Sequence, residues 1–212
     1  MRALSRLSIA FVFVAALGFA TDVLAQARQQ VPAATAQRLQ RIMIPLIQHM
    51  DHPIPLDKVS VRLMADEDIN AANGGGGEFY ITRGLLDKAA DDNVIRAIMA
   101  HEVAHADLGH VAKQQRLQTG LGVGLALLDQ IWPQAGALAP IAGQLVANAY
   151  SRTEESQADA HGVEILRRAG YNGKTMMVNS LSWLAQVQGD SGGFFATHPL
   201  TSDRIAAVQR LP

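Results

Sequence analysis

The chain of 212 residues contains no cysteine. No disulfide can staple the fold, no thiolate can bind a metal, and no mature N-terminal cysteine can carry a lipid. Folding must therefore rest on core burial alone, for which the chain is long enough. Charge is sparse as well. Only 17% of the residues are charged, and 18 basic against 19 acidic side chains leave a net charge of −1. No Lys/Arg cluster forms, so the basic face that a nucleic-acid binder needs is missing. A comfortable membrane-spanning run of about 20 apolar residues is also missing. Four consecutive glycines at 74–77 lack the Lys-Ser/Thr ending of a phosphate loop and precede a strand-like segment, so they read as a hinge. Gly120, Gly122 and Gly124 lack the dinucleotide-binding spacing and read as a loosened or closely packed helix segment.

The N-terminus differs from the rest. Arg2 and Arg6 precede an almost wholly apolar stretch at 7–20, and small residues at 23, 25 and 27 offer cleavage spacing. Residues 1–27 thus read as a secretory signal peptide and residues 28–212 as one exported domain.

Leu39, Ile42, Met43, Leu46, Ile47 and Met50 recur at helical spacing, with Pro45 as a possible kink. Val59, Val61 and Leu63 alternate as in a strand, and Glu78 to Thr82 is short and β-prone. Asp91 or Asp92 can cap a helix through Val94, Ile95, Ile98 and Met99. Residues 121–149 are apolar but interrupted by Asp129, Gln130, Trp132, Pro133 and Gln144. They read as two buried or surface-lying helices and as a candidate contact for a membrane surface or a hydrophobic partner. Another helix follows from Ser151, closed by Gly170. The balance is helix-rich with a few strands.

The chemistry concentrates in "AHEVAHADLGH", residues 100–110. His101 and His105 are four apart, hence one turn apart on one helix face. Glu102 lies about 100° around from His101 and can flank an ion without binding it. This His-Glu-x-x-His pattern is one in which zinc acidifies a water and the glutamate takes its proton. His110, nine residues from His101, would face the opposite side of a regular helix and reads as a surface or packing residue. His49, His52 and His161 have no such pairing and read as structural. A hydrolytic zinc site needs three protein ligands and an open position. With no cysteine available, a downstream carboxylate is the natural third. "TEESQAD" offers Glu155, with Glu154 as competitor, and Asp159 four residues on could fix the tautomer of a ligand histidine.

These elements together resemble the HtpX-like and CAAX-prenyl-endopeptidase-like zinc metallopeptidases, a gluzincin group, and in particular its small exported members acting in bacterial envelope quality control. "INAANGGGGEFYITRGLL", "HEVAHADLGH", "SRTEESQAD" and "THPLTSDRI" follow the group's order over residues 38–210. The resemblance selects Glu155 over Glu154 as third ligand. It implies a mainly helical α+β metalloprotease domain with a small β-sheet or hairpin edge near the active-site helix. It also implies one Zn2+ per chain, held by His101, His105 and Glu155, with Glu102 as general base. His198 is a candidate oxyanion stabiliser, supported by Arg204, or else a fourth zinc ligand in a resting state. Phe79, Tyr80 and Ile81 are the expected exposed edge along which an extended substrate pairs. The implied function is endopeptidase action on unfolded or misassembled envelope proteins, with outer-membrane proteins as substrates and outer-membrane assembly machinery as a contact. The expected location is the periplasm, with membrane association through 121–149. A rival reading is a non-catalytic assembly factor or holdase with a structural or inhibited zinc.

Overall fold

The computed structural model describes residues 31–119, 150–189, 192–200 and 202–212. The expected signal peptide and the apolar segment at 121–149 lie outside the described residues, as do Gly120, Gly122 and Gly124. Numbered in chain order among the described residues, the elements begin with α1 (Ala33–Gln48), a 3-10 turn (Leu56–Lys58), β1 (Ser60–Met64), β2 (Ala71–Gly75) and β3 (Glu78–Thr82). Then come α2 (Arg83–Lys88), α3 (Asp92–Asp107), α4 (His110–Thr119), α5 (Arg152–Arg168), α6 (Gly173–Gln188), α7 (Phe194–Thr197) and α8 (Ser202–Gln209). This is the mainly helical α+β architecture expected from the sequence, with one small sheet.

Local chemistry sets the boundaries. Asp91 caps α3 by accepting a hydrogen bond from the Asn93 backbone N–H, and Thr82 caps α2 through Leu85 N–H. Ser151 and Glu154 form a reciprocal capping box at the start of α5. Pro45 sits inside α1 without ending it.

The sheet order is β1-β3-β2, with β1 parallel and β2 antiparallel to β3. This corrects two expectations. The glycines are not a hinge: Gly76 and Gly77 form the two-residue turn of the β2–β3 hairpin, with φ of 61° and 92°. Positive φ at both turn positions suits the right-handed twist of the flanking strands, and glycine reaches it without steric cost. Nor is Phe79–Tyr80–Ile81 an exposed edge. β1 returns alongside β3 and pairs from Ser60↔Glu78 to Met64↔Thr82, so β3 is the central strand and these three side chains are buried. Among the described residues, the edges without a further paired strand belong to β1 and β2.

The core centres on α3, which packs on α1, α5, α6 and β2. Ile95, Ile98, Met99 and Val103 of α3 join Leu39, Ile42 and Leu46 of α1, Ile165 and Leu166 of α5, and Met177, Leu181 and Leu184 of α6 in one cluster. Each such side chain stabilises the fold by about 1.5–3 kcal/mol through burial. Because α3 is buried nearly all round, its histidines and glutamate are carried into the interior. Among the described residues no helix is long and apolar enough to cross a membrane.

Candidate active site

α3 presents His101 and His105 on one buried face, their Nε2 atoms 3.0 Å apart. α5 packs across α3 and brings Glu155 to them. Glu155 Oε1 lies 3.3 Å from His105 Nε2, and Oε2 lies 3.5 Å from His101 Nε2. The residue after α7 completes the group: His198 Nδ1 is 3.1 Å from His101 Nε2 and 3.0 Å from Glu155 Oε1. All four side chains are buried, and their donor atoms lie within 4.8 Å of one another.

Three imidazole nitrogens and a carboxylate suit zinc. A tetrahedral ion with bonds of about 2.0–2.1 Å would need donor separations of about 3.3–3.4 Å, close to those observed. The neighbouring carboxylate points the same way. Glu102 is fully buried, and neither of its oxygens has a well-aligned hydrogen bond, although the Asn73 backbone is close enough to favour its charged form. His198 Nε2 approaches its Oε1 at 3.2 Å without hydrogen-bond alignment. Burying a carboxylate without well-aligned partners is costly, so a further bound group is called for at this spot.

The charges follow from burial and proximity. Burial opposes a charge on His101, but the Glu155 and Asp159 carboxylates outweigh it and hold its pKa up at about 9. Burial drives His105 well below its ordinary value. Burial also pushes the Glu102 carboxyl up, against the pull of His198 and His101. Glu155 is buried too, but His198 and His101 hold its carboxyl well below the usual range.

Behind the ligands lies a second set of contacts. Asp159 Oδ1 is 2.9 Å from His101 Nδ1, the position from which it fixes the ring's tautomer. Arg204 was expected beside the oxyanion. Its guanidinium is instead bidentate to Asp159 at 2.8 Å and 2.8 Å, and its Nη1 is 2.6 Å from Glu155 Oε2. Nη1 also donates to the carbonyls of His198 and Pro199 at 3.1 Å and 3.2 Å. Buried and fully engaged, Arg204 positions three groups of the site from behind.

Three contacts escaped the sequence reading. The Tyr150 ring stacks on His105 at 3.8 Å, and the Phe194 ring stacks on His198 at 4.3 Å. Neither has a motif of its own. The third is His110, which is buried and places Nδ1 at 2.9 Å from His105 Nδ1. The assumption of one regular helix fails at Gly109, whose φ of 69° separates α3 from α4, which begins at His110. That glycine was the available signal.

The other histidines lie outside this cluster. His161 bonds Asp107 at 2.7 Å, and His49 Nδ1 meets the Pro45 carbonyl at 2.7 Å. Exposed His52 leans on the same Asp107, whose carboxylate also accepts the backbone N–H groups of Asp51 and His52. Phe79, Tyr80 and Ile81 do not line the cluster; Tyr80 bonds Glu78.

Glu154, the competing carboxylate, points away to Lys113 and Ser151, which overcome its partial burial and hold its pKa down at about 2. Its contribution to stability is therefore present above the ordinary value of 4.5 and fades as the pH falls toward about 2. Glu154→Ala is expected to cost about 1 kcal/mol in urea unfolding, by loss of the capping box, with zinc content unchanged.

Sequence comparison supports the same assignment. Residues 33–211 match Peptidase family M48. The chain is similar to the beta-barrel assembly-enhancing protease of Escherichia coli, 28% identical over 158 residues, covering 68% of this chain and 32% of that protein. It is 26% identical over 157 residues to Metalloprotease LoiP of Escherichia coli, covering 71% and 62% of the two chains. It is 27% identical over 173 residues to the mitochondrial metalloendopeptidase OMA1 of Bos taurus, covering 71% and 32%. The matched region thus spans about a third of the first and last of these relatives. With the match extending over nearly all the described residues, and the His-Glu-x-x-His helix and Glu155 meeting in one buried cluster, the chain belongs to peptidase family M48.

Proposed function

We propose that the protein is a zinc-dependent endopeptidase that hydrolyses peptide bonds in unfolded or misassembled envelope proteins. The observation that carries this reading is the buried Glu102 beside the His101–His105–Glu155 cradle. His101, His105 and Glu155 would hold the ion. Bound zinc acidifies a water and polarises the scissile carbonyl. Glu102, fully buried beside the cradle, accepts the water's proton and returns it to the leaving amine. Asp159 and Arg204 keep His101, Glu155 and the His198 loop in place.

His198 takes the fourth corner of the cluster through Nδ1, and its Nε2 faces Glu102. In this position it stands where the water must be. That geometry favours the resting-state ligand over the oxyanion stabiliser. His198→Ala is then expected to raise the rate of casein cleavage; a fall by orders of magnitude would support the oxyanion role instead.

A closed set of four ligands is also what a structural zinc site presents, as a holdase or assembly factor would have. Glu102 decides between the two. A structural site has no use for a further buried carboxylate, outside the four donors, at its rim. Chelation is expected to abolish casein cleavage and zinc to restore it. A chain that cleaves nothing with zinc loaded and His198 removed would favour the holdase.

With β3 central, an extended substrate would pair with the outer edge of β2, which packs beside α3 and whose Gly74 carbonyl accepts from Gln115. The envelope as site of action rests on the signal-like residues 1–27 and on relatives such as the beta-barrel assembly-enhancing protease. Periplasmic location, outer-membrane protein clients and membrane contact through 121–149 belong to the same proposal. Crosslinking of bound clients by the Glu102→Gln form in cells would identify them.

A further inference from the structure

His101 and His105 are not supported alike. His101 has the Asp159 carboxylate behind it, itself gripped by Arg204. Among the described residues, His105 has no carboxylate at its rear nitrogen. Its Nδ1 faces His110 Nδ1, at 2.9 Å, with both rings buried. Two nitrogens at this distance share one proton: one donates and the other offers its lone pair. Binding a metal through Nε2 places the His105 proton on Nδ1. His110 must then accept with a bare Nδ1 and carry its own proton on the other nitrogen. The result is a relay of fixed direction from His105 to His110.

Backbone geometry holds the relay in place. Gly109, in the left-handed region, ends α3 and sets His110 as the first residue of α4. Tyr150 stacks on the His105 ring from the side, so the ring can neither tilt nor flip freely.

We propose that His110 is a positioning residue for the metal site: a neutral imidazole acceptor that fixes the tautomer and plane of His105. This rests on the reading that His105 binds zinc through Nε2. Outer partners of this kind usually contribute about 10–100-fold to metal affinity.

The test uses the full chain and zinc affinity measured by chelator competition, independent of proteolysis. His110→Leu fills the space but offers no acceptor. His110→Asn places its amide oxygen where Nδ1 now lies, bonded to the same Cγ. The Leu form is expected to bind zinc about 10–100-fold more weakly, and the Asn form to return close to the parent. Equal affinity in the parent and the Leu form would overturn the proposal. So would an equal loss in the Leu and Asn forms, which would make the residue merely structural. Failure of the parent to bind zinc at all, with His105→Ala no different, would instead contradict the metal reading of the site, and this inference with it.

Discussion

Glu102→Gln is expected to lower peptide cleavage by about 10²–10⁴-fold, the usual worth of a positioned general base, while zinc stays bound. The substitution keeps the shape of the side chain and removes only its ability to take a proton. Glu102 lies next to His101 on α3, but is not among the four clustered donors. Its removal from the proton path therefore leaves the ion's ligands intact. The amide is also easier to bury than an unpaired carboxylate, so the variant should be no less stable than the parent. Cleavage of casein at the parent rate by Glu102→Gln would refute the mechanism. Loss of zinc from that variant would mean that Glu102 is a ligand.

Glu155→Ala has the opposite signature: zinc is lost and activity falls with it. Glu155 is the only carboxylate among the four donors, and it bridges them, with Oε1 close to His105 and His198 and Oε2 close to His101 and Arg204. Its charge offsets that of the incoming cation. Without it three imidazoles remain, beside a buried Arg204 that has lost one partner. The drop in zinc affinity should exceed the about 10–100-fold that removal of an outer partner brings. Stability should fall as well, since the buried Arg204 and His101 then share the Asp159 carboxylate between them. Elemental analysis of purified Glu155→Ala and Glu154→Ala, side by side, separates the two adjacent glutamates. Equal zinc in both would contradict the assignment.

Much of this was legible in the sequence, for identifiable reasons. The His101/His105 pair follows from helical spacing alone, and the cap at Asp91 and the helix from Ser151 follow from their polar starts. That Glu155 and Asp159 meet the histidines required two helices to pack, which no local pattern states; the ordered motifs supplied it. Errors came where a tertiary choice overrode a local one. Glu78 to Thr82 has the composition of any short strand, and only the return of β1 makes it central rather than edge. The four glycines permit a hinge or a turn equally; pairing of β2 with β3 selects the turn. Arg204 could have faced substrate or scaffold, and the depth of Asp159 draws it to the scaffold. His110 was misplaced because helical arithmetic was carried through a glycine that ends the helix.

The central claim is that one zinc ion sits between His101, His105 and Glu155 and that peptide hydrolysis occurs there. Anomalous scattering at the zinc edge, from crystals of the zinc-loaded chain, tests it most directly. One peak is expected, within about 2.0–2.2 Å of the two Nε2 atoms and a Glu155 oxygen. No peak in that cradle, or a single peak at the Asp51–Asp107–His161 group beside the last residue of α3, would contradict it.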